Sequence, residues 1–110
     1  MRTEAVEQFV TCYVHQAWPD LYVDLWDAVA DFVELEPGLA PSFRSEVELL
    51  VSTRDERELR ELLLDRWDSG YLAEGAGWTY REWLMAVADR VDALLDRGPH
   101  EPQITPNRPI

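Results

Sequence analysis

Hydrophobic residues in this chain return every three or four positions, the spacing of helices that each bury one face. In the first such stretch, Val6, Phe9, Val10, Tyr13 and Ala17 form a stripe that opens after a Thr3 cap and runs to about Gln16. Trp18-Pro19 ends it, because the residue ahead of a proline is pushed out of helical angles. In the second stretch, about residues 21–35, Tyr22, Leu25, Trp26, Val29, Phe32 and Val33 share a face, and Pro37-Gly38 stops the helix. Pro41 suits the first turn of a third helix, where its missing N–H is not needed; Phe43, Val47, Leu50 and Val51 face inward there.

Thr53-Arg54-Asp55-Glu56 has the form of a capping box and predicts a fourth helix to about Trp67, with Leu59, Leu62, Leu63 and Trp67 inward. Asp68 to Gly77 holds three glycines and reads as a loop. Thr79-Tyr80-Arg81-Glu82 is a second capping box, flanked by Trp78 and Trp83 at the positions of a hydrophobic staple. Leu84, Val87, Ala88, Val91, Leu94 and Leu95 carry the last helix to Gly98-Pro99. No convincing strand alternation appears. The fold class is therefore all-α, a single-domain bundle of about five helices over residues 1–98. Residues 99–110 hold four prolines and no periodicity and are expected to form a disordered tail.

The polar side of the second helix changes the picture. Asp20, Asp24, Asp27, Asp31 and Glu34 recur at alternating spacings of four and three, and no Lys or Arg lies between Arg2 and Arg44 to neutralise them. Like charges so placed repel by roughly 0.2–0.5 kcal/mol per pair, about 1–2 kcal/mol for four pairs before screening. One reading is a solvated face kept for solubility. The other is a binding surface for a basic protein, formed by Asp20, Asp24, Asp27, Asp31 and Glu34. The 68–78 loop and the Glu46/Glu48 face are the alternative contact surfaces.

Composition narrows the partner. Twenty-two acids against ten bases give a net charge of −12. Nucleic acid and anionic membrane surfaces are disfavoured as direct ligands, since both require Lys and Arg. A basic protein is favoured, because opposite fields steer encounter. Hydrophobic residues at 46%, with five Trp, rule out a chain that is an acidic disordered tail throughout. No basic segment followed by an apolar run opens the sequence, and no apolar run approaches the ~20 residues of a membrane span, so a cytoplasmic location is expected.

Candidate chemistry is sparse. The lone Cys12, among Val10, Tyr13 and Val14, reads as a small buried core residue. Cys12 and His15 could share a face, but a metal site needs three or four ligands and the only other histidine is His100, so no metal is expected. No serine–histidine–aspartate pattern, phosphate loop or activated cysteine is present, so neither catalytic residues nor a cofactor is expected. Trp26, Trp67 and Trp83 are expected in the core, and Trp18 and Trp78 partly exposed at helix junctions.

Two segments carry a resemblance. Tyr13-Val14-His15-Gln16-Ala17-Trp18 resembles the Tyr-Phe-His-Gln-Asp-Trp signature of a family of contact-dependent growth inhibition (CDI) immunity proteins. Thr79-Tyr80-Arg81-Glu82-Trp83-Leu84 resembles that family's late Ser/Thr-aromatic-Arg-x-Trp-Leu motif, and the intervening helices match in order and spacing. Ala17 stands where the family usually has an acid. The resemblance implies a small cytoplasmic helical protein that binds and neutralises the C-terminal toxin domain of a cognate effector. The matching residues Tyr13, His15, Gln16, Trp18, Arg81 and Trp83 are expected to be structural. The competing functional classes are a general acidic interaction module or nucleic-acid mimic acting on a basic partner, and a small enzyme.

Overall fold

The computed structural model describes residues 3–14, 24–71 and 73–97. His15, Gln16, Trp18, Pro19, Asp20, Tyr22 and the tail from Gly98 onward lie outside the described residues. Among those described, five helices and no strand are found: α1 (Glu4–Gln8), α2 (Leu25–Leu35), α3 (Phe43–Thr53), α4 (Glu56–Arg60) and α5 (Tyr80–Arg97). The all-α fold read from the sequence is the fold observed.

Two of the helices continue as π-helical turns, α1 over Phe9–Tyr13 and α4 over Glu61–Arg66. The buried positions give a reason for the first. Ala5 and Val6, Phe9 and Val10, Tyr13 and Val14 are pairs repeating every four residues, and all are buried. An α-helix of about 3.6 residues per turn would rotate such a pattern by roughly 40° each turn, whereas a wider turn holds it on one face. The same register turns Cys12 outward: it is exposed, which corrects the expectation of a buried core cysteine.

A chain of aromatic rings joins the elements. Phe9, Phe32 and Phe43 meet edge to face with centroids 5.4–5.6 Å apart, bringing α1's extension, α2 and α3 together. Tyr13 extends the cluster at 5.7 Å from Phe32. Trp83 of α5 lies 6.4 Å from Phe9 and stacks at 5.1 Å on Tyr71. Trp67 is buried as expected, but Trp26 is only half-buried, a correction taken up below.

Helix ends are fastened by side chains from other helices. The Glu46 carboxylate of α3 accepts hydrogen bonds from the Ala5 and Val6 amides (2.8 and 3.1 Å) at the start of α1. Thr3 precedes that helix without a side-chain cap. Glu46 is buried, so it offers no outward contact surface with Glu48. At α5, Thr79 and Glu82 form the expected capping box, with both bonds 3.0 Å. Glu56 adds a second cap, accepting from the Tyr80 and Arg81 amides at 2.5 and 3.2 Å. The box predicted at Thr53 is instead formed two residues later by Asp55 and Glu58. Thr53 is still helical there and its hydroxyl donates to the Leu49 carbonyl at 2.7 Å, so it is not available as a cap.

Candidate functional site

α2 begins one residue after Asp24. Asp24 has extended backbone angles, and its carboxylate accepts the Asp27 amide at 3.1 Å. It is therefore the N-cap of α2 rather than a helical member of the acidic row, and its charge sits where the helix end favours an anion. Removing that acceptor with Asp24→Ala is expected to cost about 1 kcal/mol, read as a lower urea midpoint, while Asp24→Asn holds the parent value.

Leu25, Ala28, Val29, Phe32 and Val33 bury the inner face of α2 against α5 and the α1 extension. That burial turns the next acids outward. Asp27 and Glu34 are exposed, and Asp31 is half-exposed. Asp20 lies outside the described residues, so its position relative to this face is not described. Glu36, just past the helix end, belongs to the interior side: its carboxylate accepts from the Tyr13 hydroxyl (3.0 Å) and the Gln8 amide (3.3 Å).

The contrast with acids elsewhere is electrostatic. Arg44 reaches Asp89, Asp92 and Glu48 at once, and the bonds to Asp92 and Asp89 raise its guanidinium pKa. Arg57 pairs with Glu61 at 3.4 Å. Arg60 pairs with Glu74 at 3.0 Å and holds that carboxyl below its ordinary range. Among the described residues, Asp27 and Glu34 have no such arginine.

Trp26 flanks this face. Its half-buried ring lies beneath the Arg90 guanidinium, 5.6 Å from the centroid, a cation–π contact. Trp26, Ala86, Asp89, Arg90 and Ala93 line an open groove of about 400 Å³ between α2 and α5. On the helical wheel Trp26 falls between the buried stripe and the acids, which is why a core position was expected and an edge position is found. Leu35, exposed to 60% of its surface, adds an apolar position at the end of α2. The Arg90 contact links residues far apart in sequence and left no local signal.

Where they are described, residues of the two motif segments pack in the core or cap and tie helices. Tyr13 is buried and anchored to Glu36. Thr79 and Glu82 cap α5, Tyr80, Trp83 and Leu84 are buried, and the Arg81 guanidinium donates to the Val51 carbonyl (2.7 Å) at the end of α3. No three His, Cys, Asp or Glu among the described residues are placed to hold a metal ion, and no described helix is long and apolar enough to cross a membrane.

No curated protein and no solved structure matches the chain. A family model described as CdiI immunity protein matches residues 2–91, a span that contains both motif segments and all of α2. The chain thus belongs to the CdiI immunity protein family.

Proposed function

We propose that this chain binds and neutralises the C-terminal toxin domain of a cognate growth-inhibition effector, covering a basic toxin surface with the acidic face of α2. Asp27, Asp31 and Glu34 supply the outward charges, Asp24 the charge at the helix start, and Asp20 the continuation of the row. The carrying observation is that, among the described residues, Asp27 and Glu34 have no arginine partner of the kind that Glu48, Glu61, Glu74, Asp89 and Asp92 have. Carboxylates left in water without a cation are free to meet the Arg and Lys of a partner. A nuclease fits, because the cations of its substrate groove would otherwise meet phosphates. Inhibition is by occlusion in the cytoplasm, without catalysis or cofactor and without contact to nucleic acid or membrane. An interface of ordinary size would bury about 800 Å² on each partner.

The test uses the toxin domain encoded beside this gene and the double variant Asp27→Arg/Glu34→Arg. Asp24 is left intact because changing it would damage the helix cap. Association at low salt is expected to slow by roughly ten- to a hundredfold, with unchanged helicity, and the difference should shrink as salt is raised. A folded variant that associates as fast as the parent, and still rescues growth of toxin-expressing cells, would place the contact elsewhere.

A further inference from the structure

Acids outnumber bases 22 to 10 in the chain, so its arginines do not lack for carboxylates. Arg44, Arg57 and Arg60 take them, Arg81 takes a carbonyl, and Arg90 covers an indole ring. Arg54 and Arg66 take none: among the described residues, neither side chain forms an ion pair or a hydrogen bond. These two are also neighbours. They jointly line two adjoining cavities, of about 170 and 200 Å³, with Leu62 at the boundary of both.

The acids nearest to hand are engaged or do not reach. Glu58 is held in the α4 capping box, and Glu61 is paired with Arg57. Glu7, on the rim, forms no ion pair with either guanidinium. The walls are otherwise partly apolar, with the buried side chains of Leu50 and Trp67 behind Arg54 and Arg66. A bidentate acceptor entering there would meet two forked donors that have no carboxylate partner of their own.

We infer that the cleft lined by Arg54 and Arg66 receives a carboxylate side chain of the partner protein. This rests on the reading that the chain binds a toxin domain. A free oxyanion is disfavoured, because a net charge of −12 repels mobile anions, whereas a carboxylate carried in on a protein arrives with the rest of the interface. The cleft also supplies what an acidic face lacks. Carboxylates alone attract any basic protein, but two guanidiniums without partners of their own favour a surface that carries an acid at one position. The cleft thereby selects partner and orientation.

The test compares Arg54→Gln/Arg66→Gln with the parent against the same toxin domain. Losing two positive charges makes the chain more acidic, so overall attraction to a basic toxin predicts equal or tighter binding. The cleft predicts the opposite: affinity weaker by at least about tenfold, mainly through faster dissociation. Among the described residues neither guanidinium forms an ion pair or hydrogen bond, so the variant is expected to keep the parent's urea midpoint, and Arg54→Lys/Arg66→Lys should restore part of the affinity. Unchanged affinity in a folded double variant, with the parent binding normally, overturns the cleft alone; a parent that does not bind overturns the toxin reading with it. Inorganic phosphate is titrated separately, followed by the arginine Nε–Hε signals. Saturation below a millimolar would show a site for a free oxyanion and overturn the assignment, while no saturation supports it.

Discussion

Trp83→Ala is expected to lower the stability of this domain by about 3–5 kcal/mol, the range for deleting a large aromatic from a packed core. Trp83 is fully buried, stacks on Tyr71, and approaches Phe9 in the cluster that joins α1, α2 and α3. A domain of this size has roughly 5–15 kcal/mol in total, so the variant would be partly unfolded near physiological temperature. Trp83→Phe should cost markedly less. It keeps a ring in the stack and removes an indole N–H that is buried without an acceptor. Urea unfolding monitored by circular dichroism reads both. The functional readout separates structure from contact: in a titration with the toxin domain, the binding-competent fraction of Trp83→Ala should fall while the Kd of that fraction stays at the parent value. A raised Kd in fully folded protein would mean that the indole reaches the partner.

The late motif is thus accounted for residue by residue without any appeal to the partner. Thr79 and Glu82 close the first turn of α5, Arg81 ties it to the last turn of α3, and Trp83 and Leu84 enter the core. On the proposed reading, the surface that meets the toxin lies on other residues.

The helices were legible because their stripes are local and regular. Phe43, Val47 and Leu50, or Leu84, Val87, Ala88 and Val91, sit where a 3.6-residue period puts them. What escaped was of two kinds. The first was a change of period: the four-residue repeat of Ala5–Val6, Phe9–Val10 and Tyr13–Val14 fits a π turn, whose register leaves Cys12 outside although its sequence neighbours Val10, Tyr13 and Val14 are buried. The second was competition between neighbours for one role. Thr53 and Asp55 can each cap a helix, and Asp55 wins because α3 still holds Thr53. Asp24 looked like a helical member of the acidic row and is the N-cap of α2. Its neighbours Asp27 and Glu34 face outward as their spacing suggested, since Val29, Phe32 and Val33 fix the opposite side.

Glu46 was the least legible residue, and its removal carries the other large effect. The two amides it caps are forty positions away, and on charge alone it belongs with Glu48 on the surface. In the fold it is buried, with one oxygen accepting from the Ala5 and Val6 amides and the other within 3.2 Å of the Ser42 hydroxyl. A buried carboxylate without an arginine would ordinarily be costly. Here two amide dipoles at the start of α1 replace water, so the charge is solvated by the backbone it caps. Glu46→Ala leaves those two amides unpaired in a setting where Ala5 and Val6 are fully buried, an expected loss of about 2–4 kcal/mol. Water can reach the site through the open cleft lined by Ser42, Ser45 and Leu49, which places the loss toward the lower end. Glu46→Gln keeps an acceptor without the charge and should recover about half. Hydrogen exchange locates the effect: the Ala5 and Val6 amides should lose protection first in Glu46→Ala. Loosening should then pass along α1 to Gln8 and Tyr13, whose bonds to Glu36 steady the far end of α2. The acidic face would remain chemically intact but less firmly seated, so the toxin should be released faster while association is little changed. Full protection of those amides in Glu46→Ala, with an unaltered urea midpoint, would show that the carboxylate does not hold α1 in place.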